Sequence, residues 1–137
     1  MPRFCLSCDT GAIMARFEDQ TETIEHFGMS RTVASLSGWR CPHCKEEEFD
    51  AESAVWYAAV GDELVLADRR RQGQELRRIR KKLRLTQQQA AQITGGGHNA
   101  FSRYERGDVP PMPAVTNLFR LLDRHPDLLS EISNSAA

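Results

Sequence analysis

The sequence predicts an α+β protein, with a small β-rich N-terminal domain that includes one helix and an all-α C-terminal domain of five helices. Three features of the 137-residue chain predict this division. Two Cys-x-x-Cys pairs precede residue 45, the spacing of apolar residues becomes helical near Asp50, and the sign of the charge changes near residue 68. A domain of roughly 70 residues has little core of its own, so we expect a covalent or metal cross-link.

The N-terminal domain, residues 1–68, begins with short β-prone stretches at 12–17, 21–27 and 31–36, which glycines separate. The helical spacing that follows Asp50 predicts a helix, bent near Gly61, that covers this small sheet. Residues 69–74 read Arg-Arg-Arg-Gln-Gly-Gln and have no apolar face. They predict a linker to the C-terminal domain, residues 75–137.

The C-terminal domain starts with a basic amphipathic helix, after which Thr86 and Gln89 have the spacing of a capping box for a second helix. Three glycines at 95–97 end that helix, and a third helix runs from there to about Gly107.

Prolines forbid a fourth helix before Ala114, and a short fifth helix follows Pro126. The fourth helix has more apolar positions than a small bundle needs. We expect it to form a homodimer interface through Leu118, Phe119 and Leu122.

The net charge of −1 conceals two oppositely charged halves. Residues 1–68 carry 5 Lys and Arg against 13 Asp and Glu, whereas residues 69–137 carry 13 against 6. A basic half attracts a phosphate backbone and an acidic half is repelled by it, so nucleic acid should meet the C-terminal half. No apolar run is long enough for a membrane span and the N-terminus lacks the pattern of a signal peptide, so we expect a cytoplasmic protein without membrane contact.

The four cysteines form two pairs, Cys5 with Cys8 and Cys41 with Cys44, with 32 residues between the pairs. Each Cys-x-x-Cys turn directs two thiolates at one ion, and two turns complete the tetrahedral four-sulfur site that suits Zn2+. In the cytoplasm, paired cysteines hold metal more often than they form disulfides. We expect one zinc ion per chain, with a structural role because no coordination position is left for water.

Two other uses of the second pair stay open. Cys-Pro-His-Cys at 41–44 is also the active-site sequence of some thiol oxidants of the thioredoxin class, so the chain could be an oxidoreductase. Such a motif needs a helix directly after it inside a βαβ unit, whereas glutamates follow here. In the other alternative, His26 or His43 replaces one sulfur ligand.

Residues 86–107 have the plan of a helix-turn-helix, in which the third helix of the domain enters the major groove. Asn99 and Arg103 are four residues apart on one face of that helix. Asparagine pairs bidentately with adenine and arginine with guanine, so these two side chains are the expected base readers. The candidates for contacts with the DNA backbone are Arg80, Lys81, Lys82, Thr86, Gln87, Ser102 and Arg106.

The sequence resembles the MqsA antitoxins of type II toxin-antitoxin systems. The resemblance rests on Gly-Gly-Gly-His-Asn-Ala-Phe-Ser-Arg-Tyr-Glu-Arg-Gly at 95–107, Arg-Lys-Lys-Leu-Arg-Leu-Thr-Gln-Gln at 80–88, residues 121–129 and both cysteine pairs. It implies a helix-turn-helix domain of the Xre/Cro type that reads a palindromic operator as a dimer through Asn99 and Arg103. It also implies that the zinc domain binds an mRNA-cleaving ribonuclease toxin, and that the antitoxin represses its own operon.

Residues 17–37 match that family poorly, so a zinc-containing regulator without a toxin is the alternative function. We find no open metal position and no nucleophile paired with a base, and we therefore expect no enzyme activity.

Overall fold

A long β-hairpin forms the centre of the N-terminal part of the chain in the computed structural model, which describes residues 1–135. Strand β1 (Ala15–His26) pairs antiparallel with β2 (Met29–Arg40), and β2 pairs with the short β3 (Glu47–Phe49). Phe27 and Gly28 form the hairpin turn, with φ angles of 48° and 79°. Positive φ at both positions is typical of the two-residue type I′ turn, whose twist matches that of the strands.

The two β-prone stretches expected at 12–17 and 21–27 lie largely in one strand. The register of the hairpin shifts on either side of Gln20, and the nearby residues Asp19 and Ser35 have φ of 51° and 60°. Such β-bulges bend a strand without ending it, which is why the sequence suggested two strands.

Helix α1 (Ala51–Lys82) covers the sheet, as expected. Val60 of this helix is buried with Val33 and Leu36 of β2, and Tyr57 packs on the edge of the same cluster. Gly61 does not interrupt the helix, which is continuous for 32 residues. A second small cluster contains Met14 and surrounds the cysteines.

The expected linker at residues 69–74 is instead helical and lies inside α1. Arginine and glutamine are good helix formers, so the absence of an apolar face did not prevent a helix here. The buried carboxylate of Asp68 accepts hydrogen bonds from Arg71 and Gln72 at 2.8 and 2.6 Å. The chain divides into two compact units within α1, an N-terminal unit (Met1–Val65) and a C-terminal unit that begins at Leu66.

The C-terminal unit is all-α. The second part of α1 packs with four further helices, and a 3-10 turn at Pro126–Leu128 precedes the last of them. The helices are α2 (Gln87–Thr94), α3 (Ala100–Arg106), α4 (Pro113–Arg124) and α5 (Leu129–Ser135). Their common core consists of Leu76, Ile79, Leu83, Ala90, Ala91, Phe101, Tyr104, Val115, Phe119 and Leu122.

Within residues 1–135, no helix has the length and apolarity that a membrane span requires.

Candidate metal centre and nucleic-acid interface

Two tight turns hold the cysteines in the N-terminal unit. In the first, the amide of Cys5 donates to the carbonyl of Ala12 at 2.9 Å; in the second, the amide of Cys41 donates to the carbonyl of Glu46 at 2.9 Å. Each turn also directs an amide at its first sulfur, from Ser7 to Cys5 Sγ at 3.4 Å and from Cys44 to Cys41 Sγ at 3.5 Å. These backbone hydrogen bonds orient the sulfurs within each turn.

The four sulfurs converge on one point. All lie within 4.8 Å of one another, and the Cys5–Cys44 and Cys8–Cys41 Sγ distances are 3.6 and 3.8 Å. A tetrahedral zinc ion with Zn–S bonds of about 2.3 Å holds its sulfurs about 3.8 Å apart, so the cluster fits zinc. The prediction of a structural zinc on Cys5, Cys8, Cys41 and Cys44 is confirmed at the level of this four-sulfur site.

The thiols of this cluster have unequal proton affinities. Amides of Cys44 and His43 lower the pKa of the Cys41 thiol to about 6. The amide of Glu46 also lowers the pKa of the Cys44 thiol, but burial and the neighbouring sulfurs outweigh it and raise that pKa to about 12. Four thiolates at these distances repel one another unless a cation lies between them, and a zinc ion held by the four cysteines would supply that cation.

Neither alternative use of the second cysteine pair fits the structure. The candidate ligand group found among residues 1–135 contains the four cysteines and neither His26 nor His43. Cys44 ends a turn and is followed by β3, not by the helix that a thioredoxin-type motif needs to lower its thiol pKa.

The helix-turn-helix is built from local signals in the C-terminal unit. The amide of Gln89 donates to Thr86 Oγ1 at 3.1 Å and the Thr86 amide donates to Gln89 Oε1 at 2.9 Å, which forms the expected capping box. Gly95 ends α2 with φ of 75°, and Gly107 ends α3 with φ of 78°. Burial of Phe101 on the inner side of α3 directs the other side of that helix to solvent.

Asn99 and Arg103 are both exposed. Asn99 lies at the N-cap of α3 rather than inside it, and its carbonyl accepts from the Arg103 amide at 3.1 Å, so the two residues are one helical turn apart. The side chain of Arg103 has no hydrogen-bond or ion-pair partner among residues 1–132, whose side chains the structure describes. It is therefore available to an external ligand.

Arg80 is not available as a backbone contact, and this prediction needs correction. Its side chain is 12% exposed and forms an ion pair at 2.8 Å with Glu105, whose side chain is 5% exposed. Arg80 also donates to the carbonyl of Leu85 at 2.9 Å. The guanidinium therefore joins α1 to α3 and cannot reach a phosphate without breaking a buried pair.

Most of the other expected backbone contacts already have partners within the chain. The Lys82 ammonium donates to Asp123 Oδ1 at 2.9 Å, and Gln87 Nε2 donates to Glu105 Oε2 at 2.9 Å. Thr86 caps α2, as described above. Arg106 bonds Ser102 and Asp108 at 2.9 Å each.

Lys81 differs from these candidates because its side chain is exposed and has no hydrogen-bond or ion-pair partner among the side chains that the structure describes.

Sequence reasoning missed Glu105. It is the only acidic side chain of α3, which is otherwise neutral or basic. An isolated acid in a basic helix was the signal that could have indicated a buried partner.

The expected dimer surface on α4 is partly wrong. Phe119 and Leu122 are 0% and 1% exposed because they belong to the core of their own unit. Leu118 is partly buried against that core, whereas Leu121 and Leu128 are 53% and 38% exposed. The leucines of α4 and the following turn that remain exposed are thus Leu121 and Leu128, not Leu118 and Leu122.

Comparison with known proteins gives two matches. A family model described as the antitoxin component of bacterial toxin-antitoxin systems, MqsA, matches residues 3–133. The protein Antitoxin MqsA of Escherichia coli (strain K12) is 38% identical in an alignment 136 residues long, and the match covers 93% of this chain and 98% of that protein.

Proposed function

This chain belongs to the MqsA family of bacterial antitoxins, and from that premise we propose two linked functions. The C-terminal unit binds operator DNA as a sequence-specific dimer and thereby represses the operon that encodes this protein. The N-terminal unit, held together by zinc, neutralises a cognate mRNA-cleaving toxin. Both functions are binding functions, and we infer no enzyme activity.

The observation that carries the DNA-binding proposal is the exposed, unpartnered side chain of Arg103 on α3, one turn from exposed Asn99. A guanidinium that is free in the unbound protein loses no internal contact when it donates to guanine O6 and N7. Asn99 makes no capping hydrogen bond, so its amide is equally free to pair with adenine.

Contacts with the DNA backbone fix the position of the reading helix without reading sequence. Lys81 is the strongest candidate for such a contact because its ammonium is exposed and unpaired. Thr86, Gln87, Ser102 and Arg106 remain candidates. Lys82 contributes less, since Asp123 already neutralises it.

A dimer follows from the requirements of specificity. One helix-turn-helix reads few base pairs, and a two-fold dimer reads two half-sites of a palindrome about one helical turn, or a multiple of it, apart. Leu121 and Leu128 are exposed leucines of the C-terminal unit that a partner copy would cover.

The DNA-binding proposal is tested by titrating the dimer on operator and scrambled duplexes at several salt concentrations. Arg103→Ala should reduce the free energy of binding to the operator by about 1 to 3 kcal/mol per half-site, and should change binding to the scrambled duplex little. Lys81→Ala should weaken binding to both duplexes alike. It should also make the slope of the logarithm of the binding constant against the logarithm of the salt concentration shallower by about 0.9 per lost phosphate contact. Lys82→Ala is the matched control with a smaller effect. Equal losses on both duplexes for Arg103→Ala would show that α3 does not read bases.

Sedimentation tests the dimer. Leu121→Glu should yield monomers at micromolar concentration and weaken operator binding, because it buries a charge in the interface. Leu6→Glu changes an exposed leucine of the N-terminal unit and should leave the dimer intact. A wild-type monomer that binds an asymmetric site one to one would contradict the proposal.

The toxin function is tested with the ribonuclease encoded beside this gene, carrying an inactivating substitution. The full chain should form a stoichiometric complex with it. If no such ribonuclease binds while the operator is still bound, the chain is a regulator without a toxin.

A further inference from the structure

A groove lies in the N-terminal unit between β2 and the first turns of α1. It has a volume of about 520 Å3. Ala34, Ser35 and Ser37 of β2 form one wall. The other wall, which includes the residue before α1, consists of Asp50, Glu52, Ser53, Val55, Trp56 and Ala59. We call this feature the Trp56 groove.

The α1 wall of the Trp56 groove exposes apolar side chains that the fold does not use. Val55 and Trp56 are 72% and 56% exposed, although the residues beside them on the helix, Ser53 and Tyr57, face the sheet. The other tryptophan of the chain, Trp39, is partly buried and lies under the guanidinium groups of Arg3 and Arg16. No aromatic or cationic side chain within residues 1–135 stacks on Trp56. An indole left this exposed in a groove is the kind of anchor that dominates protein interfaces.

The surroundings of the groove are acidic. Residues 46–68 contain eight Asp and Glu and no Lys or Arg. Glu52 lines the groove, and exposed Asp62 and Glu63 lie two turns beyond Trp56 on the same helix. Asp50 is already paired with Arg16, so Glu52, Asp62 and Glu63 are the carboxylates left for an external cation. The negative electrostatic potential of these carboxylates favours a basic partner and repels nucleic acid.

The β2 wall is exposed at Ala34 and Ser35. At Ser37 it is joined to the other wall, because the Ser37 amide donates to Ser53 Oγ and the Ser37 carbonyl accepts from the Asp50 amide, both at 2.9 Å. Strand β3 pairs only with Gly38–Arg40, and within residues 1–135 no strand pairs with the same side of β2 from Met29 to Ser37. The positive φ of Ser35 marks the bulge at the groove, where bulges commonly redirect side chains.

We propose that the Trp56 groove is the docking site for a basic protein partner, which inserts an apolar side chain against Val55 and Trp56 and presents cations to Glu52, Asp62 and Glu63. The inference rests on the proposed function, in which that partner is the ribonuclease toxin. It assigns toxin recognition to the start of α1 and not to the zinc turns, whose exposed Leu6 is the competing apolar surface.

The test measures the affinity of the full, zinc-loaded chain for the inactivated ribonuclease of the same operon by calorimetry. Trp56→Ala should weaken binding about 30-fold or more, as expected for a central aromatic anchor. Ala59→Arg places a long, positively charged side chain in the groove and should weaken the affinity at least as much. Leu6→Ala is the control and should change affinity by less than about 3-fold. Zinc content, far-UV circular dichroism and operator affinity report whether each variant is folded.

The outcomes separate this inference from the proposed function. If the wild-type chain binds the ribonuclease and folded Trp56→Ala and Ala59→Arg bind equally well, the groove is not the docking site but the antitoxin function stands. Loss of binding only in Leu6→Ala would assign recognition to the zinc turns and overturn the inference. A shift of the dimer equilibrium by Trp56→Ala, with ribonuclease affinity unchanged, would assign the groove to a second copy of the chain and overturn it as well. A wild-type chain that does not bind the ribonuclease would overturn both.

Discussion

The ion pair of Arg80 with Glu105 shows how a single residue can matter more for stability than for recognition. Both side chains are almost fully buried, and Glu105 also accepts a hydrogen bond from Gln87. A helix-turn-helix depends on a fixed angle between its helices, and this pair fixes α3 to the end of α1. In the proposed function, the groups available for DNA recognition are those that the fold leaves free, above all Arg103.

Removal of this buried carboxylate should be costly. Glu105→Ala leaves the Arg80 guanidinium buried without its partner, and we expect a loss of about 3 kcal/mol or more in the free energy of unfolding. Glu75→Ala removes a carboxylate from an ion pair with Arg78 in which both side chains are 50% exposed, and should cost less than about 1 kcal/mol. Urea denaturation followed by circular dichroism gives both values. Similar losses for the two variants would mean that the buried pair has no special role.

Asp123 confers an acid-sensitive contribution to stability. Hydrogen bonds from Arg78, and secondarily from Lys82, lower its pKa to about 2. An unfolded aspartate titrates near pH ~3.9, so the contribution is fully present above that value and is lost as the pH falls towards the folded pKa.

The variant Asp123→Asn should therefore unfold at lower denaturant concentration than wild type at pH 6. The difference should shrink between roughly pH 4 and pH 2, the interval between the unfolded and folded pKa values. The control is Asp127→Asn, which alters an exposed aspartate. A difference that does not change across this interval would contradict the assignment of Asp123.

At the scale of the element, two glycines of α1 have opposite effects. Gly73 is required for the packing of the helix, whereas Gly61 weakens the helix. A Cβ built on Gly73 would lie 2.1 Å from the carbonyl oxygen of Tyr104, whereas a Cβ on Gly61 would meet nothing within 4 Å. Gly73 therefore permits close approach of α1 and α3. No close contact requires a glycine at position 61, and Gly61 only lowers the helix propensity of α1.

Alanine substitutions at these two positions should have opposite effects. Gly61→Ala should stabilise the protein by about 0.5 to 1 kcal/mol, the ordinary helix-propensity difference. Gly73→Ala should destabilise it by about 1 to 3 kcal/mol, because backbone atoms must move apart to accept the methyl group. Thermal unfolding monitored by circular dichroism distinguishes the two signs. Stabilisation by both substitutions would show that α1 and α3 are not closely packed at Gly73.

At the scale of the whole molecule, metal and hydrophobic core stabilise different parts of the chain. The N-terminal unit has two small clusters and all four cysteines, whereas the ten-residue core of the C-terminal unit contains no metal ligand. Zinc binding is thus coupled to the folding of the first unit alone.

Chelation should therefore unfold the sheet and leave most of the helical signal. The expected result is a change in the emission of Trp39, which lies beside the cysteines, with operator binding retained. Cys41→Ser should reproduce the effect, whereas Ser7→Ala, in the first turn, should retain zinc. Collapse of the C-terminal helices on chelation would contradict this independence.

Local signals in the sequence predicted a large part of the fold and of the site. The Cys-x-x-Cys spacing, the capping box at Thr86 and Gln89, and the end of α3 at Gly107 act over a few residues, and the structure contains them all. Helix α4 begins at Pro113, one residue before the expected start at Ala114, because proline is compatible with the first turn of a helix. Such features depend on neighbours in the chain, so they survive in any tertiary context.

Only the tertiary structure decided which residues that are distant in the chain contact one another. In the sequence Gly73 looked like part of a linker. The contact that requires a glycine there is made by Tyr104, which lies 31 residues away in the chain. Arg80 looked free because its partner Glu105 is on another helix. The Trp56 groove exists only because β2 and α1 meet. The sequence by itself determined the four metal ligands and the capping box of α2, and it predicted Asn99 and Arg103 as base readers. Packing determined the extent of α1 and which of the charged and apolar side chains remain exposed, since burial depends on long-range contacts that local pattern does not encode.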